Sequence, residues 1–257
     1  MFNNGTSSGR SANWPPVTTN IIIINVILWL LEYLNPGGFG NVLLDKLGLH
    51  FFESRQFNPA QVITYMFLHS PGNMLHILFN MFTLWMFGRF LERVWGSRRF
   101  LLFYIVCGVG AAIVQELVWL CTWQHEYISA IAQQNAISYD HARQMIDAAV
   151  ASGSADAMYG MMALKNSFLT IGASGAVFGL LLGFAFVFPN MPLYLFFIPV
   201  PIKAKYMVIG YAVLEFFFGV TGTQSTVAHF AHLGGMLFGL PMLLYWKKKG
   251  TLHGGYF

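Results

Sequence analysis

Six apolar runs limit what this chain can fold into. They cover residues 19–34, 74–94, 100–121, 171–188, 204–220 and 228–246. An α-helix rises about 1.5 Å per residue, so about 20 apolar residues cross the roughly 30 Å of hydrocarbon in a bilayer. The first run is short for this and leans on its neighbours. In lipid every backbone N–H and C=O must be satisfied internally, and runs of this length do so as helices. Charge content agrees: 9% of the 257 residues are charged, against roughly 25% in soluble domains. The expectation is an all-α membrane protein, a bundle of six transmembrane helices.

An even number of spans puts both ends on one side of the membrane. Ten of the 14 basic residues fall on that side: Arg10, Arg89, Arg93, Arg98, Arg99, Lys203, Lys205, Lys247, Lys248 and Lys249. Lys46, Arg55, Arg143 and Lys165 fall on the other. The positive-inside rule makes both termini cytoplasmic. The net charge of +4 is thus a topology signal, and no basic stripe suited to nucleic acid is present. No internal repeat is evident, which argues against a secondary transporter. The first run lacks an A-x-A cleavage pattern and reads as a retained anchor.

The predicted organisation is a polar cytoplasmic tail at 1–18, a membrane domain at 19–246 and a basic cytoplasmic tail at 247–257. A long outer connection, 122–168, joins the third and fourth spans. Within it "SYDHARQMIDAAVASG" predicts a surface helix over 138–153, capped by Ser138 and ended by Gly153. Cys107 and Cys121 lie fourteen residues apart on one predicted helix, roughly 21 Å along its axis, too far to pair.

Polar residues inside a bilayer are costly, so their positions carry information. His76 and Asn80 open the second span, Ser174 opens the fourth, and His229 and His232 open the sixth. Glu215 closes the fifth, and Gln115 and Glu116 close the third. The topology brings all of them just below the outer surface, where they can share a wet cavity. Gly175, Gly179 and Gly183 recur every four residues on the fourth span, and Gly235 and Gly239 share a face with His232 on the sixth. Facing small residues let helix backbones approach closely, which would bring Ser174 and His232 within reach of each other.

A serine hydroxyl becomes a useful nucleophile when a base removes its proton, and histidine is the usual base near neutral pH. The resulting oxyanion needs fixed donors. Asn80, His76 one helical turn before it, and the Ser174 backbone N–H are the candidates. No acidic residue is placed by sequence to complete a triad; Glu215 is the one to consider. Taken singly, each residue has a structural role available. Ser174 can pack, His76 and Asn80 can bond between helices, and "HFAH" at 229–232 has the i, i+3 spacing of a metal pair. An H-E-x-x-H zinc protease is not indicated: "HEYIS" has Ser129 at the second histidine position. No predicted span contains aspartate, which removes the aspartyl type.

"GASG" with Ser174, "AHLGGMLFG" with His232, Gly235 and Gly239, and "HILFN" with His76 and Asn80 together resemble the motifs of the rhomboid family of intramembrane serine proteases. The similarity runs over 61–246 without the 122–168 connection, and it includes "RFLERVWGS", whose Glu92 and Arg93 it implies to be structural. It implies Ser174 as nucleophile, His232 as general base, His76 and Asn80 as oxyanion stabilisers, and Gly235 and Gly239 as packing glycines; Gly175 and Gly179 are packing glycines by their spacing. Phe178 stands where relatives carry tyrosine, one turn after the nucleophile. His69 lies seven residues before His76, where the family more often has five, and "ESRQF" replaces a Trp-Arg pair that some members carry. The implied activity is endoproteolysis of transmembrane segments of other membrane proteins near the outer boundary, without cofactor or metal. The implied location is a bacterial cytoplasmic membrane, with the site open to the periplasm. The alternative is a catalytically inactive adaptor of the same fold that binds transmembrane helices.

Overall fold

The computed structural model describes residues 14–35, 38–195, 198–222 and 228–252. Much of the predicted tails, 1–13 and 253–257, therefore lies outside the described residues. The first helix, α1 (Pro16–Leu34), begins three residues earlier than its apolar run suggests. The reason is a cap supplied from elsewhere in the chain. The buried Glu92 carboxylate accepts the Val17 and Thr18 N–H groups at 3.0 and 2.8 Å, the Thr18 hydroxyl at 2.8 Å and the Ser97 hydroxyl at 2.6 Å. An acidic group at a helix start satisfies orphan donors and meets the positive end of the dipole. The expected structural role of Glu92 has this physical form.

The segment that follows holds α2 (Phe39–Leu47), β1 (Leu49–His50) and α3 (Gln61–Thr64), which runs into a 3₁₀ turn at Tyr65–Phe67. The Asn73 side chain accepts the His76 N–H and starts α4 (Met74–Trp95), which carries a π-helical stretch at Leu84–Gly88. Gly96, at φ +77°, turns the chain into α5 (Ser97–Gln134). This helix overruns the predicted third span by thirteen residues, so the 122–168 connection is largely helical. It continues with α6 (Tyr139–Ala151) and α7 (Ala155–Ser167). Ser138 does cap α6, accepting the His141 N–H at 3.2 Å. This connection is fastened to the segment between α1 and α4 by the Lys165–Glu53 ion pair and by the Arg55 N–H on Asn166 at 3.0 Å.

The chain then forms β2 (Leu169–Thr170), α8 (Ser174–Val187), the hairpin β3 (Pro192–Leu195) and β4 (Ile198–Lys203), α9 (Ala204–Thr221) and α10 (His229–Lys248). The fold is mostly helical, as expected, and adds two short antiparallel pairs in its connections, β1 with β2 and β3 with β4. The second is a hairpin and the first joins two connections far apart in the chain; in both, backbone groups left free by the helices find partners.

Among the described residues four helices are long and apolar enough to cross a membrane: α1, α4, α5 and α9. The apolar α8 has 14 residues, about 21 Å, and is enclosed by its neighbours. The 20-residue α10 carries two histidines in its first turn and two lysines in its last. The tightest packing joins α5, α8 and α10. Trp95, Phe103 and Trp246 cluster at one end of this trio, with ring centroids 5.0–5.9 Å apart. The starts of α8 and α10 lie at the other end.

Candidate active site

Ser174 is the first residue of α8, and the chain is tied down immediately before it. Leu49 pairs with Thr170 and His50 with Leu169. The Gly172 N–H donates to the Tyr65 carbonyl at 3.0 Å, and the Tyr65 hydroxyl donates to the Gly108 carbonyl at 2.8 Å. Gly172 has φ +128°, and a Cβ there would lie 2.9 Å from Nε2 of His76 and 3.8 Å from Oγ of Ser174. Glycine is therefore needed twice over at this position, for its backbone angle and for the approach of the His76 ring.

The depth of His232 is set by backbone contact. A Cβ on Gly235 would lie 1.9 Å from the Gly175 carbonyl oxygen. With α8 and α10 in contact here, Nε2 of His232 is 2.8 Å from Oγ of Ser174. The predicted glycine stripe is only partly a two-helix contact. Cys107 of α5 lies against both Gly179 and Gly239, Ala111 against Gly175, and Gly183 faces Trp95. The glycines are shared with α5, because three helices meet along this line. The Phe178 ring covers the His232 imidazole, with centroids 4.3 Å apart and planes within 5°, so no hydroxyl is required at that position for stacking.

His76, Asn80, Gly172, Ser174 and His232 line one cavity of about 510 Å³. Asn80 is buried, and its amide is 3.1 Å from Nε2 of His69. The His69 ring is fully buried and lies 4.9 Å from that of His76. Burial, with His76 beside it, pushes His69 down to about 3, so the ring is neutral and can accept from the Asn80 amide. An amide has two N–H donors; one goes to His69, and the other is left for the cavity.

Sequence reasoning did not place His69, because its distance along the chain from His76 says nothing about the loop between them. The role of Glu215 was also undetermined. Its Oε2 is 2.7 Å from Nδ1 of His229 and 3.0 Å from Nδ1 of His232. The first contact is a directed hydrogen bond; the second is close but off the line a hydrogen bond needs. The available signal was a lone carboxylate in an apolar helix, at the depth of two histidines. Of the polar residues predicted to share one cavity, Gln115, Glu116, Glu215 and His229 do not line the one that holds Ser174. Gln115 lines a separate cavity of about 390 Å³ beyond His229, and Glu116 accepts the Phe52 N–H at 2.9 Å.

No curated protein matches the chain. The Rhomboid domain family matches it over residues 56–122 and 129–249. That match covers α8, α10, α5 apart from residues 123–128, and every residue of the cavity named above. With its long apolar helices, the chain is an integral membrane protein and belongs to the rhomboid family.

Proposed function

We propose that this rhomboid is an active intramembrane serine endopeptidase that cuts transmembrane segments of other proteins near the outer membrane boundary. The observation that carries this reading is the 2.8 Å contact between Oγ of Ser174 and Nε2 of His232 beneath the stacked Phe178 ring. His232 takes the Ser174 proton on Nε2 as Oγ bonds to the scissile carbonyl carbon. General-base help of this kind is worth about 10²–10⁴ in rate. The oxyanion is met by the free Asn80 N–H, by His76 and by the Ser174 N–H at the start of α8, where the helix dipole is favourable. The carbon–nitrogen bond then breaks, and Nε2 returns the proton to the leaving amine. Water repeats the sequence to release the acyl group.

Glu215 supports His232 in two ways. Its charge beside Nδ1 favours the tautomer with the proton on Nδ1, leaving Nε2 free to accept. It also stabilises the imidazolium that forms. A substrate helix must partly unwind at the cavity, because helical carbonyls are engaged; small or helix-weakening residues there make this cheaper. In this reading six helices span the bilayer, both termini are cytoplasmic, and the cavity opens to the periplasmic side of a bacterial inner membrane.

The test is labelling of the detergent-solubilised protein by a serine-directed fluorophosphonate. Labelling at Ser174, absent from Ser174→Ala and His232→Ala, is expected. A folded wild-type protein that is not labelled would fit the helix-binding adaptor instead.

A further inference from the structure

The spacing of "HFAH" matches a metal pair, and the proposed chemistry uses only one of its histidines. The fold adds a third ligand from another helix. Glu215 on α9 and His229 and His232 on α10 each offer one ligand atom, and these atoms all lie within 4.8 Å of one another. We propose that these three side chains form a site for zinc or a similar divalent transition metal, and that filling it switches the active site off. The inhibitory part rests on the reading of His232 as the general base.

The donor set suits the ion. Two imidazole nitrogens and one carboxylate select zinc-class metals over magnesium or calcium, which prefer all-oxygen sites. Three protein ligands with a fourth position open to water is a common zinc arrangement. Ligands about 2.0–2.1 Å from a tetrahedral ion stand about 3.3 Å apart. The two Glu215–histidine separations, 2.7 and 3.0 Å, must widen to this spacing, and the His229 and His232 ligand atoms, within 4.8 Å of each other, must settle to it as well, a matter of side-chain rotation. Nδ1 of His232 is buried and has no directed hydrogen bond; a metal at this point would satisfy it. His229 also borders the cavity of about 390 Å³, where Gln115, Thr122 and Glu126 provide a polar approach from the outer face.

The switch follows from the two ring nitrogens of His232. With Glu215 alone, Nδ1 holds the proton and Nε2 presents a lone pair to the Ser174 hydroxyl. With a metal on Nδ1, the proton moves to Nε2. The ring then donates to Ser174 and cannot take its proton. The metal also draws the Glu215 charge onto itself, removing the support for imidazolium. The same three residues thus hold His232 in the competent tautomer when metal-free and in the opposite one when filled.

The full-length chain in detergent, stripped with a chelator, tests this in two ways. Calorimetric Zn²⁺ titration and the visible absorption of bound Co²⁺ report the site without needing activity. One ion per chain is expected for wild type and for Ser174→Ala. His229→Ala should weaken binding by at least the about 10–100-fold typical of losing even an outer partner, and Glu215→Gln provides a second, shape-preserving variant. Fluorophosphonate labelling of Ser174 should stop when Zn²⁺ fills the site, return on chelation, and lose its Zn²⁺ sensitivity in His229→Ala. No specific binding, or binding unchanged in both variants, would overturn the site. Undiminished labelling at saturating Zn²⁺ would overturn the switch. Absent labelling of the metal-free wild type would instead sink the active-site reading, and the Co²⁺ spectrum would still decide the site.

Discussion

Gly235 of α10 sits directly on the backbone of Gly175 in α8, so closely that a Cβ at 235 would fall 1.9 Å from the Gly175 carbonyl oxygen. Backbone cannot step aside as a flexible side chain can. Gly235→Ala is expected to push α10 away from α8, destabilise the fold by roughly 1–3 kcal/mol and lengthen the Ser174–His232 contact. Thermal unfolding in detergent and fluorophosphonate labelling should both report a loss; a variant unchanged in both would show that the helices do not meet here.

Ser174→Ala and His232→Ala should each abolish cleavage of a transmembrane substrate while leaving the unfolding temperature near that of wild type. Substantial cleavage by either variant would remove the proposed dyad.

Asn80 and His69 should behave as a unit. Asn80→Ala is expected to lower turnover by up to about 10²–10³-fold, the range for losing one oxyanion donor. His69→Ala frees the Asn80 amide to rotate and should lower turnover less, with KM little changed. The double variant should cost little more than Asn80→Ala alone. Additive losses would mean that His69 acts independently of Asn80.

His69 also carries a pH signature. Its folded value lies near 3, against an ordinary value of 6.5, so the unfolded chain binds the extra proton first. Stability is fully present above about 6.5 and falls as pH drops toward 3, by at most about 1.4 kcal/mol per pH unit. Unfolding temperatures of His69→Gln should depend less steeply on pH across this window than those of wild type. Parallel curves would show that His69 is not held neutral.

The proposed orientation can be read with single cysteines in a Cys121→Ser background. Gly250→Cys should be protected from an impermeant thiol reagent in intact cells, and Ser152→Cys should react. The reverse pattern would turn the cavity toward the cytoplasm.

The membrane class and the rhomboid relationship were legible in the sequence because both are local. Apolar run length reports on lipid, and GASG, HILFN and AHLGGMLFG are contiguous stretches. The cap of α6 was legible for the same reason, since Ser138 bonds within its own turn. The overrun of α5 to Gln134 was hidden, because polar composition looks the same in a loop and in a helix that leaves the bilayer. What only the tertiary structure decided are relationships between distant segments. Glu92 starts α1 from 74 residues away, Glu215 reaches two histidines on another helix, and His69 holds Asn80 across a loop. Each depends on how far one helix slides and turns against the next. Here Gly172, Gly175 and Gly235 set that through backbone contacts, which no one-dimensional pattern encodes.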